Sequence, residues 1–196
     1  MAKAIFLDRD GILNKDVGFI SHRDQIQVLP AVPDALNIFE SLGYILIVVT
    51  NQAAAARGIV TEKTIQKINR YLCYLLFKVS KVRISRFYYC PHHPNADLKR
   101  YRIECECRKP KPGMLIKAAR EYKLELSTSY MIGDRPSDIA AGNAAGCCSI
   151  LVKSGRHNDP AIVSPNIELN KVPHHTCDNL MAAAIWIQET ERTAMA

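Results

Sequence analysis

Short runs of aliphatic and β-branched residues alternate along this chain with longer segments of helical periodicity. The run "YILIVVTN" at 44–51 is apolar up to Thr50, which is typical of a strand covered on both faces. The segment "VPDALNIFESLG" at 32–43 repeats apolar residues three and four positions apart and ends at Gly43, as an amphipathic helix does. This alternation predicts an α/β protein with a doubly wound parallel sheet and helices on both faces.

Five strands and five helices are predicted along the chain. The predicted strands are "KAIFLD" (3–8), "YILIVVTN" (44–51), "RISRFYY" (83–89), "YMIGD" (130–134) and "CSILVKS" (148–154). The predicted helices are "VPDALNIFESLG" (32–43), a long helix capped by Thr61, "PGMLIKAAREYKL" (112–124), "SDIAAGNAAG" (137–146) and "CDNLMAAAIWIQE" (177–189). No linker or repeat interrupts the pattern, so residues 1–196 are predicted to form a single domain.

Polar residues stand where the predicted strands end. They are Asp8 and Asp10 after the first strand, Thr50, Asn51 and Gln52 at the second, Asp134 with Asp138 nearby after the fourth, and Arg108 with Lys109 before a helix. The carboxyl ends of parallel strands form one edge of a sheet, where ligands bind. Carboxylates gathered there repel one another unless a hard cation joins them, and Mg²⁺ prefers oxygen ligands together with substrate phosphate.

These residue types suit phosphoryl transfer. A carboxylate can attack phosphorus and form an aspartyl-phosphate, and this divides one difficult displacement into two easier steps. A second carboxylate two residues further on lies on the same side of an extended chain, where it can protonate the leaving alcohol and later accept a proton from water. Mg²⁺, a lysine and a threonine hydroxyl offset the charge on the phosphoryl group during transfer.

The segment 90–113, "CPHHPNADLKRYRIECECRKPKPG", contains a C-x-H pair and a C-x-C pair. Cys90, His92, Cys105 and Cys107 make a closed tetrahedral set suited to Zn²⁺, with no position left for substrate or an activated water. We therefore predict a structural zinc site that fixes the 90–107 loop, so that Arg108 and Lys109 leave it at a defined place.

Composition is that of an ordinary globular protein, with 48% hydrophobic and 23% charged residues. No run reaches the roughly 18 apolar residues of a membrane-spanning helix, and the N-terminus enters a strand without signal-peptide features, so we expect a cytoplasmic protein. The net charge is +7, and the basic residues are densest in "KRYRIECECRKPK". That patch suits a solvated surface, an anionic substrate or nucleic acid, but the lack of interleaved stacking aromatics argues against nucleic acid.

The motifs "DRDG", "TN", "KPKPG" and "GDRPSD", in this order, resemble those of the haloacid dehalogenase superfamily of phosphatases. The longer pieces "FLDRDGILNKDVGFI", "YYCPHHP" and "CECRKPKPGM" are similar to the D-glycero-D-manno-heptose-1,7-bisphosphate 7-phosphatases. The match covers about residues 3 to 155. Histidinol-phosphate phosphatases share most of these pieces and remain the alternative, and a polynucleotide 3′-phosphatase is a further one.

The resemblance implies a role for each matched residue. Asp8 would be the nucleophile and a Mg²⁺ ligand, Asp10 the general acid/base and a Mg²⁺ ligand through its main-chain carbonyl, and Asp134 the remaining protein ligand. Thr50 and Lys109 would stabilise the phosphoryl group. The substrate-binding positions would be Asp16, Val17, Gly18, Phe19, Asn51, Gln52, Ala53, Arg108 and Arg135.

The resemblance also implies a Rossmann-like haloacid dehalogenase fold with structural Zn²⁺ and no large cap domain. The reaction would leave heptose 1-phosphate for nucleotide-activated heptose and lipopolysaccharide core synthesis. We expect a monomer that acts on a small phosphorylated sugar. Two departures concern the substrate: "AAAARG" follows "TNQ" in place of a Ser-Gly-type pair, and Arg135 stands where these enzymes commonly carry Lys.

Overall fold

The computed structural model describes residues 2–153 and 172–194. Its strands are β1 (Ala4–Leu7), β2 (Ile45–Asn51), β3 (Arg86–Cys90), β4 (Tyr130–Gly133), β5 (Cys148–Val152) and β6 (His175–Cys177). Its helices are α1 (Val32–Ser41), α2 (Glu62–Ser80), α3 (Gly113–Tyr122), α4 (Pro136–Ala145) and α5 (Leu180–Ala194). All strand pairs are parallel, in the order β3-β2-β1-β4-β5-β6, and the prediction of a parallel α/β sheet is confirmed.

The central strands are covered on both faces because alternate residues enter different cores. In β1, Ile5 and Leu7 belong to a core packed with residues of α1, α2 and α5, whereas Ala4 and Phe6 belong to a core packed with residues of α3 and α4. All four side chains are fully buried. A continuous apolar run was therefore the correct signal for a strand in this sheet.

The strand β6 was missed by the sequence analysis. It has only three residues, His175–Cys177, and pairs with β5 in the register Ile150↔His175. The His175 ring stacks on Trp186 of α5, with ring centroids 4.4 Å apart. A short run with two polar residues has no periodicity to read, so its strand conformation depends on the neighbouring strand and helix.

Two long loops, 8–31 and 91–112, cross the carboxyl edge of the sheet. Their regular structure is limited to the 3₁₀ turns Arg23–Gln25 and Lys99–Tyr101 and to isolated bridges such as Asn14↔Val28. No cap domain stands over this edge in that part of the chain, in agreement with the sequence analysis.

None of the helices placed by the structure is long and apolar enough to span a bilayer. The end of the fifth predicted strand, Ser154, lies outside the described residues.

Candidate active site

An open cleft of about 590 Å³ lies at the carboxyl edge of the sheet. Its lining includes most of the residues predicted from the sequence: Asp8, Asp10, Asp16, Gly18, Phe19, Thr50, Asn51, Gln52, Ala53, Arg108, Lys109 and Arg135. Asp134 lies beneath them and is fully buried. Val17 is 40% exposed and does not line the cleft. The residues predicted from the strand ends and those implied by the resemblance thus lie around one cleft, apart from Val17 and the buried Asp134.

Lys109 occupies the centre of a buried charge cluster. Its Nζ atom lies 2.8 Å from Oδ1 of Asp8, 2.6 Å from Oδ1 of Asp138 and 2.8 Å from the carbonyl oxygen of Val49. Burial lowers the pKa of Lys109, but Asp138 and Asp8 outweigh this, so the pKa lies above 10.5. Lys109 is therefore a fixed cation beside the proposed nucleophile.

The pKa of the Asp8 carboxyl is shifted by the groups around it. Burial raises the pKa of its carboxyl, and the nearby carboxylates of Asp138 and Asp10 raise it further, while Lys109 opposes both effects. The net result is a pKa above the ordinary value of 3.8. A buried carboxylate beside other carboxylates is stabilised by additional positive charge, such as a bound cation.

Three buried carboxylates can hold that cation. Asp8, Asp134 and Asp138 each offer an oxygen, and these oxygens lie within 4.8 Å of one another. An all-oxygen set of this charge fits Mg²⁺, since hard cations prefer carboxylate ligands. Asp138 was noted in the sequence only as a nearby residue. Its place in "GDRPSD", four residues after Asp134 on the first turn of α4, is the signal that indicates its role.

Gly11 makes room for the acidic cluster. Its φ is +85°, a conformation that side chains disfavour, and a Cβ atom there would lie 2.4 Å from Oδ2 of Asp134. The glycine of "DRDG" is thus required both by the turn after β1 and by the close approach of Asp134.

The Asp10 carboxylate is held by three side chains. Arg9 donates to both of its oxygens, from Nε at 3.1 Å and from Nη2 at 2.8 Å. Asn14 Nδ2 and Gln52 Nε2 each donate at 2.9 Å. Burial raises the pKa of Asp10, but Arg9 and the other donors outweigh burial and lower the pKa below 3.8. In this arrangement Asp10 is a carboxylate.

The end of β2 positions Lys109. The Asn51 amide accepts a hydrogen bond from the Lys109 backbone N–H at 3.1 Å and donates one to the Lys109 carbonyl at 2.9 Å. Gln52 Nε2 also donates to Thr50 Oγ1 at 3.0 Å, so the amide that holds Asp10 holds the Thr50 hydroxyl oxygen as well. The "TNQ" motif therefore supports the cluster as well as lining the cleft.

Two arginines stand at the rim. The Arg135 guanidinium donates to Asp16 at 2.8 Å and so ties the loop after β1 to the start of α4. Arg108 Nη1 donates to the carbonyl of His92 at 2.9 Å. Arg57 and His93 are among the cleft-lining residues that were not predicted as substrate contacts.

The "AAAARG" segment forms a compact turn. Ala54, Ala55 and Ala56 are buried, and the Ala56 carbonyl accepts the backbone N–H groups of Asp97 and Leu98. Among the described non-glycine residues, positive φ occurs only at Lys81 and Lys123. Ala54 thus needs no glycine-like conformation, and the positive φ of this segment falls on Gly58 instead.

The four predicted zinc ligands lie together at the end of β3. The Sγ atom of Cys107 is 3.0 Å from that of Cys90 and 3.2 Å from that of Cys105, and His92 Nδ1 is 3.5 Å from Cys107 Sγ. These sulfur pairs are longer than a disulfide bond of about 2.05 Å. The hydrogen bond that Cys107 shares with Cys90 is the main reason that the pKa of Cys107 falls to about 5. Thiolate and imidazole ligands in this number can hold a tetrahedral Zn²⁺.

Several known proteins that are similar to this chain carry the same name. Residues 106–183 match the family described as HAD-hydrolase-like. The D-glycero-beta-D-manno-heptose-1,7-bisphosphate 7-phosphatase of Photorhabdus laumondii is 37% identical over 171 residues, covering 86% of this chain and 90% of the relative. The enzymes of the same name from Pasteurella multocida and Escherichia coli K12 are 41% and 38% identical, each over 80% of this chain and over 84% and 82% of the relatives.

Solved structures similar to this chain are also those of phosphatases. A D,D-heptose 1,7-bisphosphate phosphatase from B. bronchiseptica, complexed with magnesium and phosphate, superposes with a TM-score of 0.79 at 28% identity. The match covers 96% of this chain and 99% of that one. A HAD-like phosphatase from Mesorhizobium loti gives a TM-score of 0.80 at 27% identity, over 96% and 87% of the two chains.

Proposed function

Because this chain belongs to the D-glycero-beta-D-manno-heptose-1,7-bisphosphate 7-phosphatase family, a group of HAD-type phosphatases, we propose that it removes the 7-phosphate of D-glycero-beta-D-manno-heptose 1,7-bisphosphate. The product is heptose 1-phosphate. The observation that carries the proposal is the pairing of Lys109 with Asp8 beside the buried carboxylates of Asp134 and Asp138. A nucleophile, a phosphoryl-stabilising cation and a metal-capable set thus share one cleft.

The reaction runs in two steps. Asp8 attacks phosphorus, and the bond between phosphorus and the sugar oxygen breaks. Asp10, a carboxylate in the free protein, takes up the proton that a phosphate monoester monoanion brings on binding and gives it to the departing alcohol. Asp10, now a carboxylate, takes a proton from water, whose oxygen attacks the aspartyl-phosphate. Inorganic phosphate leaves and Asp8 is regenerated. The positive charge of Lys109 offsets the charge on the phosphoryl oxygens in both transition states, and the Thr50 hydroxyl donates to them.

The metal would be held by Asp8, Asp134 and the main-chain carbonyl of Asp10, with Asp138 adjacent. Bound there, Mg²⁺ would neutralise charge on the phosphoryl oxygens. The zinc ligands stand apart from this chemistry, and we propose that Zn²⁺ is structural and fixes the loop that ends at Arg108. We further propose that the chain forms a single domain and acts as a monomer.

The cleft suits an anionic sugar. Its cationic lining residues are Arg57, Arg108, Lys109 and Arg135. The carboxylates that would recognise the amine of histidinol phosphate are already engaged: Asp16 pairs with Arg135, and Glu104 and Glu106 pair with Lys111. Histidinol phosphatase therefore has no specific observation in its favour. Of the basic patch at 99–111, only Arg108 and Lys109 line the cleft, which likewise gives no support to an oligonucleotide substrate.

The test is phosphate release in the presence of Mg²⁺ from a panel of substrates, with Asp8→Asn as the blank. The panel contains both anomers of heptose 1,7-bisphosphate, histidinol phosphate, fructose 1,6-bisphosphate and a 3′-phosphorylated oligonucleotide. We expect the β anomer to have the highest kcat/KM. Preference for histidinol phosphate would retain the mechanism and overturn the substrate. Absence of turnover with every member would overturn the proposed function.

A further inference from the structure

We propose that Asn69, on α2, is a positioning residue for Asp10 and acts through the buried guanidinium of Arg9. The proposal rests on the function proposed above, because it concerns the group that protonates the leaving alcohol. Asn69 does not line the catalytic cleft, and no catalytic motif contains it.

The Arg9 guanidinium is the first link. It is only 1% exposed, and four of its N–H groups donate hydrogen bonds to side chains of the protein. Nε and Nη2 donate to the two oxygens of Asp10 at 3.1 and 2.8 Å, and Nη2 also donates to Oε1 of Gln52 at 2.9 Å. A bidentate pair of this kind fixes the plane of the carboxylate as well as its position.

Asn69 is the second link. Its Oδ1 accepts the Arg9 Nη1–H at 2.9 Å, and its side chain is 4% exposed. The surrounding positions of the same helix, Ile65, Ile68 and Leu72, are buried and apolar. A buried amide on an apolar helix face is unfavourable unless it is hydrogen-bonded, and the Arg9 guanidinium supplies that bond.

Together these bonds form a closed network, which Asn14 and Thr50 also join from the neighbouring loop and strand. Arg9, Asp10 and Gln52 bond one another in a ring, since Gln52 Nε2 also donates to Asp10 Oδ2. The ring is built from the loops after β1 and β2. Among the described residues, Asn69 is the hydrogen-bond partner that ties the ring to α2. Without it the guanidinium keeps a buried N–H unpaired and can turn, and the Asp10 carboxylate turns with it.

Two kinds of phosphate ester separate this role from a general structural one. Loss of a sugar alkoxide needs a proton from Asp10, whereas 4-nitrophenolate leaves readily without one. The parameter kcat/KM reports the steps up to the first phosphoryl transfer. We therefore expect Asn69→Ala to lower kcat/KM for heptose bisphosphate by ~10-fold or more, a part of the usual contribution of general acid catalysis. For 4-nitrophenyl phosphate we expect a change of less than about 3-fold, because no proton is needed there.

Three further variants complete the experiment. Asn69→Asp keeps an oxygen acceptor for Arg9 and should restore most of the activity towards the sugar phosphate. In Asn69→Ser the serine side chain is too short to reach Arg9. This variant is measured instead if the alanine variant does not fold. Gln66→Ala, one turn earlier on α2 and bonded to Tyr89 instead, is the matched control and should behave as the wild type. Thermal melts monitor the fold of each.

Equal losses on the sugar and aryl esters in the folded variants would overturn the positioning role, as would full activity on both. The proposed function is tested separately by the wild type. If heptose bisphosphate is not its substrate, any other alkyl phosphate that it hydrolyses, such as fructose 1,6-bisphosphate, serves for the same comparison.

Discussion

Lys109 Nζ lies 2.8 Å from Oδ1 of Asp8, although the two residues are 101 positions apart in the chain. Lys109 follows Cys107, the last of the proposed zinc ligands, by two residues. Arg108 lies between them and donates to the carbonyl of His92, another proposed ligand. The thiol cluster and the carboxylate cluster are thus joined by a single short segment. A disturbance at either cluster is expected to reach the other.

Replacing the nucleophile should separate activity from stability. Asp8→Asn removes the attacking oxyanion, and we expect phosphate release to fall by at least ~10³-fold. The melting temperature should stay close to that of the wild type, because burial of a charged Asp8 is itself unfavourable and Lys109 keeps Asp138 as a partner. Asp34→Asn, on the exposed side of α1, is the control and should alter neither quantity. Residual activity within tenfold of wild type would contradict the assignment.

Gly11 and Gly43 provide a matched pair for the acidic cluster. Both have positive φ, +85° and +78°, so alanine at either position incurs a similar backbone cost of about 1 kcal/mol. Only at Gly11 would the new Cβ meet Asp134, at 2.4 Å, while Gly43 has nothing within 4 Å. We expect Gly11→Ala to raise the Mg²⁺ concentration needed for half-maximal activity and Gly43→Ala to leave it unchanged. Equal Mg²⁺ dependence in the two variants would refute this.

Removal of one thiol should release the metal from the loop. Cys107→Ser is expected to lower bound zinc, measured by atomic absorption, together with the melting temperature and the activity. Cys73→Ser is the control, because Cys73 is half-buried on α2 and lies outside the cluster. Full zinc content and full activity in Cys107→Ser would show that the loop does not depend on this ligand.

Arg108 is expected to act in substrate binding. Arg108→Ala removes a cation from the cleft wall while leaving Asp8 and Lys109 in place, so KM for the bisphosphate should rise by ~10-fold or more with a smaller change in kcat. Lys111→Ala serves as the control, since Lys111 pairs with Glu104 and Glu106 and does not line the cleft. Steady-state kinetics of both variants measure the difference. A fall in kcat at constant KM would place Arg108 in the chemical step instead.

Acid stability should depend on a cluster far from the cleft. Burial raises the pKa of Glu191, but hydrogen bonds from Lys3 and Tyr44 outweigh burial, so the pKa lies below its ordinary value of 4.5. Because the folded pKa is depressed, the stabilisation is present above 4.5 and is lost as the pH falls through the folded value. Glu191→Gln should therefore destabilise the protein at neutral pH and reduce the loss of stability on acidification.

Urea unfolding at neutral pH and again below 4.5 measures this difference. Glu189→Gln, two residues earlier on the exposed side of α5, is the control and should retain the wild-type acid response. If Glu191→Gln lost as much stability on acidification as the wild type, Glu191 would not be responsible for the acid response.

Much of the fold and the site was predictable because the signals are local. Apolar runs and helical periodicity located the five longer strands and the five α-helices of residues 2–153 and 172–194, and the polar residues at strand ends indicated which side chains meet. The two cysteine pairs likewise predicted a four-ligand cluster. These inferences need only the period of the chain and the geometry of a parallel sheet.

Other features depend on contacts between distant segments. The strand β6 forms beside β5, and Lys109 pairs with both Asp8 and Asp138 across the sheet edge. The sequence places Arg9 between Asp8 and Asp10, and the fold buries it and pairs it with Asn69 as well as with Asp10. Sequence alone thus determined which groups gather at the carboxyl edge. Tertiary structure decided which of them pair, because a buried charge takes whatever partner packing places within hydrogen-bonding distance.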